Sequence, residues 1–197
     1  MNYLAHLFFA KNTQFSLLGN LMGDFVKGDV TNLYNTEIVN GILQHRLIDK
    51  YTDTHPIVKI SKNRISRKRF SGILIDIFYD HFLAIHWQEY SAENLNNVVN
   101  CWYEKLKMPT TIDIPKNLQF TIEKMSEYNL LQSYSTLDGI DCSVNRVSEK
   151  IRFKNNLNGG VEELINNYDA LEKDFSIFFP QLIQYVNNIA IINQDQL

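Results

Sequence analysis

Glycine and proline barely interrupt this chain. Four prolines and eight glycines punctuate 197 residues, and the stretches between them repeat their apolar residues with helical rather than alternating spacing. Such a chain folds as an all-α protein. The pattern predicts helices over residues 2–10, 14–27, 35–54, 57–66, 69–90, 92–107, 116–128, 130–136, 143–153 and 160–190, with loops at 107–115 and 154–160. Pro180 should end or kink the last helix, because proline removes a backbone donor and clashes with the preceding turn. The tail NQDQL, 193–197, should fray. The length suits one compact helical domain spanning 1–197. All five histidines lie in the first 86 residues, so the chemistry is expected in 1–90, with 91–197 as supporting helices or a docking surface.

Composition narrows the classes. Hydrophobic residues make up 45% and charged residues 21%, close to average soluble usage. No apolar run is long enough to span a bilayer. The start MNYLAHLFFAKNT lacks the basic flank and cleavage pattern of a signal peptide, so the expected location is cytoplasmic, away from the membrane. A net charge of −3 counts against broad nucleic-acid binding, which needs a basic excess. Cys101 and Cys142 stand outside any CxxC pattern and read as plain buried thiols.

The informative features are polar residues where apolar ones belong. In GILQHRLIDKYTD, residues 41–53, a step of about 100° per residue puts Ile38, Ile42, His45 and Asp49 within one narrow arc. Something inside the fold must satisfy the polar pair: a metal, a hydrogen-bond network, or each other. In FSGILIDIFYDHFLAIHW, residues 70–87, Asp76 and Asp80 are one turn apart on a segment apolar around its whole circumference. Two buried carboxylates so placed repel, so one carries a proton or a cation lies beside them. The bland alternative is an aspartate bonded to a neighbouring helix cap or an arginine. In SLLGNLMGDFVKG, residues 16–28, Gly19 and Gly23 allow close helix approach, and Asn20 and Asp24 form a parallel polar pair. Asp24, His45, Asp49, Asp76 and Asp80 therefore form a pool from which three or four direct metal ligands would come. All-oxygen-and-nitrogen ligation suits Mn²⁺, Mg²⁺ or Fe²⁺ better than structural zinc. Arg46 could bind phosphate oxygens in forked geometry, although an ion pair is its commoner fate.

The segments MNYLAHL, LLGNLMGDFVKG, GILQHRLIDKYTDTHP, RFSGILIDIFYDHFLAIHW and YDALEKDFSIFFP together resemble the acyl carrier protein phosphodiesterase family. The resemblance implies Mn²⁺-dependent hydrolysis of the phosphodiester joining 4′-phosphopantetheine to a serine of holo-acyl carrier protein. It also implies an all-helical fold distantly similar to HD-domain phosphohydrolases. The chain contains no His-Asp dipeptide, offering HR at 45–46 and DH at 80–81. His81 becomes a candidate general acid for the serine leaving oxygen, with a core histidine as the alternative. His6 joins the catalytic candidates through the resemblance alone. Six of the 19 basic residues lie in KISKNRISRKR, and no acid occurs between Asp53 and Asp76. Lys59, Lys62, Arg64, Arg67 and Arg69 are expected to dock the acidic carrier protein. Two other readings stay open: phosphohydrolysis of a nucleotide or another small phosphoester, and a helical module that binds acyl carrier protein without cleaving it.

Overall fold

A computed structural model describes residues 1–194, with side chains described through residue 189. Polar side chains set several helix starts by accepting orphan amides of the first turn. Thr13 accepts from Ser16 N ahead of α2 (Gln14–Met22), Asn35 from Ile38 N ahead of α3 (Thr36–Thr54), and Thr136 from Gly139 N ahead of α10 (Leu137–Lys150). The remaining helices are α1 (Tyr3–Phe8), α4 (Pro56–Arg64), α5 (Ser71–Ile85), α6 (Trp87–Tyr90), α7 (Leu95–Leu106), α8 (Lys116–Glu127), α9 (Leu130–Ser133), α11 (Val161–Asn166) and α12 (Tyr168–Gln194), with a 3-10 turn at Lys68–Phe70. Among the described residues there is no strand, and no helix is long and apolar enough to cross a membrane.

Helix α5 runs through the core. It buries ten residues between Leu74 and Ala84, on all sides of the helix, touching α1, α4, α10 and α12. From α12, Leu171, Phe175, Phe178, Phe179 and Leu182 pack inward, fully buried, each contributing ~1.5–3 kcal/mol of burial. That packing carries α12 straight through Pro180, which lies inside the helix and does not end it. Flanking burial outweighs a cost of roughly 3 kcal/mol for an interior proline. Of the tail expected to fray, 193–197, the first two residues still belong to α12 and residues 195–197 lie outside the described residues.

Other boundaries shift for local reasons. The helix expected over 14–27 stops at Met22, and the following turn ends at Gly28 with φ of 77°, a left-handed conformation that glycine adopts without strain. The Thr136 cap starts α10 six residues earlier than the apolar pattern suggests. Cys142 is exposed and Cys101 half-buried, contrary to the expectation of buried thiols. Helix α10 buries Ile140, Ser143 and Val144, and Cys142 lies off that stripe.

The tightest helix pair is α2 against α3, and glycine permits it. A Cβ on Gly19 would come 2.5 Å from the Ile38 carbonyl, and one on Gly41 would come 2.8 Å from Asn20 N. Backbone therefore meets backbone. Four residues after Gly19, a Cβ on Gly23 would sit 2.2 Å from Cγ of His45, so the bare glycine makes the space that the imidazole ring fills.

Candidate metal centre

Close α2–α3 packing decides which nitrogen His45 presents. Its Nδ1 lies 2.6 Å from the Asn20 carbonyl oxygen, which can only accept, so Nδ1 always carries a proton and Nε2 is the nitrogen that offers a lone pair once the ring is neutral. That Nε2 is buried and has no hydrogen-bond partner, yet carboxylate oxygens of Asp49 and Asp24 stand 3.1 and 3.4 Å away. Helix α1 adds His6, whose Nε2 is 3.2 Å from Asp49 Oδ1. The two imidazoles stack with centroids 3.7 Å apart. His6, His45 and Asp49 thus place one donor atom each within 4.8 Å of one another.

Electrostatics favours a cation here. Burial pushes Asp49 up, but His45 and His6 outweigh it and hold its carboxyl well below the usual range. Burial likewise works against charge on His45, yet Asp24 and Asp49 raise its pKa to about 9. Burial, then the neighbouring His45 charge, lowers His6 to about 4. Two stacked imidazoles beside two carboxylates share one positive charge, and a divalent cation can replace that proton. The orphaned Nε2, the locked Nδ1 and the adjacent carboxylates fit a metal site. They form a candidate metal-binding cluster.

A cleft of about 280 Å³ opens beside this cluster. Asp24, Asp49, Asp53 and Asp76 line it, as do Ile73, Ile77, Leu130 and Tyr134. Asp24 and Asp49 side chains are 56% and 37% exposed, so the cluster is reachable from the cleft. The other wall belongs to α10, which contributes Ser143, Arg146, Val147 and Lys150. Those four fall at i, i+3, i+4 and i+7, one helix face.

The five pool residues separate into two groups. Asp24, His45 and Asp49 come together, and His6 joins them. Asp76 lines the cleft with its Oδ1 taken by the Met1 amino group at 3.0 Å. Asp80 points elsewhere. It accepts from the backbone amides of Leu4 at 2.7 Å and Ala5 at 3.3 Å, capping α1, whose own Asn2 supplies no side-chain cap. Burial raises Asp80 to about 7, against the pull of the amino group and of those amides. The expected mutual repulsion of Asp76 and Asp80 is thus replaced by separate partners.

His81 lies off the cleft. Its Nδ1 is 2.7 Å from the Tyr134 carbonyl and its Nε2 3.0 Å from the Tyr168 hydroxyl, so both nitrogens are engaged. Arg46 donates to the Gly28 and Val26 carbonyls, each at 2.8 Å, which ties the loop after α2 to α3 and occupies the fork expected for phosphate. In the basic block, Lys62 pairs with Asp53, Arg64 with Asp174, and Arg67 with Glu163. Arg69 lies over the Phe153 ring at 4.2 Å. Lys59 alone of the five has no such partner among the described residues. Arg146 and Lys150 were outside the sequence-based candidates; their spacing with Ser143 and Val147 shows that they share a helix face, and only the structure shows that this face lines the cleft.

Comparison with known proteins places most of the chain in one family. The profile of the family described as "Acyl carrier protein phosphodiesterase" matches residues 1–182. Curated relatives bearing that name include one from Enterobacter sp. (strain 638), 35% identical over 95% of this chain and 98% of the relative. Another, from Klebsiella pneumoniae (strain 342), is 32% identical over 95% and 98%, and one from Escherichia coli O6:H1 is 30% identical over 97% and 100%. No solved structure matches the chain. With most of its length matched both by the family profile and by these relatives, the chain belongs to the acyl carrier protein phosphodiesterase family, a family of phosphodiester hydrolases.

Proposed function

We propose that the protein hydrolyses the phosphodiester between 4′-phosphopantetheine and the serine of holo-acyl carrier protein, releasing apo-protein and 4′-phosphopantetheine. The observation that carries this reading is the buried Nε2 of His45, which makes no well-directed hydrogen bond and faces Asp49 and Asp24 beside His6, next to an open cleft. His6, His45 and Asp49 would hold a divalent cation, Mn²⁺ by preference, with Asp24 as the fourth donor in reach. When bound, such an ion polarises a phosphoryl oxygen and makes water acidic enough to supply hydroxide near neutral pH.

The chain's own contribution is orientation. Asn20 fixes the His45 tautomer, Gly23 seats the ring, and ionised Asp49 presents its carboxylate to the cleft. Asp80 holds the start of α1 and so the position of His6. A cleft of about 280 Å³ takes a phosphodiester and part of a linear arm while a folded carrier domain stays outside. This fits a protein substrate that offers its prosthetic arm end-on. The His45–Asp49 pair, four residues apart on one helix, would serve in place of the His-Asp dipeptide of HD-domain enzymes. The test is mass measurement of holo-acyl carrier protein after incubation with the protein and Mn²⁺. Expected is conversion to the apo mass, abolished by chelation; an unchanged holo mass with Mn²⁺ demonstrably bound would overturn the reading.

A further inference from the structure

We infer that Arg146 and Lys150 of α10 form an anion subsite that grips the phosphoryl oxygens of whatever phosphoester enters the cleft. The inference rests on the phosphodiesterase reading for its substrate, and on the structure for its residues.

Four arginines are committed to internal contacts. Arg46 is bound to two backbone carbonyls, Arg64 to Asp174, Arg67 to Glu163 and two carbonyls, and Arg69 is laid over Phe153. Arg146 differs. Its recorded partner among the described residues is the Tyr128 ring, 4.4 Å from the guanidinium carbon. Stacking on an aromatic face steadies the cationic plane and leaves its N–H fork free. Lys150, one turn further on the same face, also lines the cleft and makes no ion pair among the described residues.

Charge makes the arrangement specific. Four aspartates line the same cleft, yet neither cation pairs with them; Asp24 faces His45, Asp49 both histidines, Asp53 Lys62 and Asp76 the Met1 amino group. The cleft therefore keeps an acidic end and a basic wall apart. A neutral ligand satisfies neither. A phosphoryl group satisfies both, with oxygens that accept the forked guanidinium and the lysine point charge while facing a cation held at the acidic end. The apolar residues that also line the cleft, Ile73, Ile77, Leu130 and Val147, suit an uncharged ester arm.

The experiment uses the Mn²⁺-loaded full chain, with Arg146→Ala, Arg146→Lys, Lys150→Gln and the Arg146→Ala/Lys150→Gln double variant. Two quantities are read: binding of inorganic phosphate by calorimetry, and KM and kcat for holo-acyl carrier protein. Losing charged hydrogen bonds to phosphate should weaken phosphate binding about tenfold or more per residue, with Mn²⁺ affinity and helical content unchanged. KM should rise in parallel, and Arg146→Lys should restore part of the loss. Phosphate binding unchanged in the double variant would overturn the subsite whether or not turnover changes. A raised KM with unchanged phosphate binding would assign the two residues to the carrier protein's surface instead. Should the unmodified chain bind phosphate in a manner that needs Arg146 and Lys150, yet leave holo-acyl carrier protein intact, the subsite stands and the substrate reading fails.

Discussion

Helices α3 and α5 pose the same puzzle in sequence and resolve it in opposite ways. Each carries ionisable residues within an apolar stripe: His45 and Asp49 on α3, Asp76, Asp80 and His81 on α5. On α5 the accounts close inside the protein. Asp80 takes two backbone amides, and both nitrogens of His81 have oxygen partners. On α3 they close only through charge, since the buried Nε2 of His45 makes no well-directed hydrogen bond and instead faces the carboxylates of Asp49 and Asp24 at 3.1 and 3.4 Å. A polar residue on an apolar face announces that a partner exists. Hydrogen-bond accounting tells whether that partner is the protein itself or something it binds.

The largest effect should separate the two helices outright. Mutating groups that merely orient metal ligands already costs about 10–100-fold in affinity, so His45→Ala or Asp49→Ala should lower Mn²⁺ affinity at least ~100-fold, with turnover lost alongside. Metal titration followed by electron paramagnetic resonance reads this directly. His81→Gln should bind Mn²⁺ normally and lose stability instead. Equal loss of metal from the His81 and His45 variants would erase the difference between α3 and α5.

Next in size is Asp80→Ala. The deletion leaves the amides of Leu4 and Ala5 buried without an acceptor, each costing about 1–3 kcal/mol, so urea unfolding should show a destabilisation of roughly 2–5 kcal/mol. Asp80→Asn, which keeps an acceptor, should lose much less. Were Asp80→Ala as stable as the parent, relief of acid–acid repulsion, and not helix capping, would describe this residue.

This pair also marks how far sequence reasoning reached. The helical class, the inward position of His45 and Asp49, and the close approach at Gly19 and Gly23 were all readable, because each depends on residue type and spacing within one segment. Asp80 as a cap for α1 was not, since its partners lie 75 and 76 positions away and backbone amides leave no mark in sequence. The same holds for Arg146, whose free state is visible only once its neighbours are known. His6 needed the family resemblance, as a lone histidine on a short helix carries no local signal. Arg46 and Arg67 looked available because a sequence does not show carbonyls approaching from another loop.

A smaller effect is the pH dependence of the metal-free protein. Asp80 has its pKa raised from 3.8 to about 7, so the folded state binds a proton that the unfolded state releases. That contribution is fully present below about pH 4, and stability should fall as pH rises from there through 7. Asp80→Asn should flatten that slope in urea denaturation at pH 5 and pH 8 with chelator present. An equally steep fall in the variant would mean that another group supplies the dependence.

The smallest effect concerns the basic block, where the structure sharpens the contrast with α10. Arg67 ties residues 66–67 to Glu163 and to the carbonyls of Asn156 and Gly159, so Arg67→Glu would set an acid against the nearly buried Glu163 carboxylate. Its expected signature is lost stability, with KM for the carrier protein following only as folded protein is lost. Lys59 carries no such duty among the described residues, so Lys59→Glu isolates long-range attraction to an acidic partner. An exposed charge of this kind contributes up to ~1 kcal/mol, which limits the change in KM to within about fivefold at low salt, and screening should shrink it further at 0.15 M, where the Debye length is ≈ 8 Å. Steering also acts mainly on the rate of encounter, so kcat should hold. A Lys59→Glu effect on KM as large as that of Arg146→Ala, and equally insensitive to salt, would move the recognition surface from the α10 wall to α4. A KM unchanged even at low ionic strength would leave the block as internal bracing, tying α4 to Asp53 and Asp174 and Arg67 to Glu163 and the 154–160 loop.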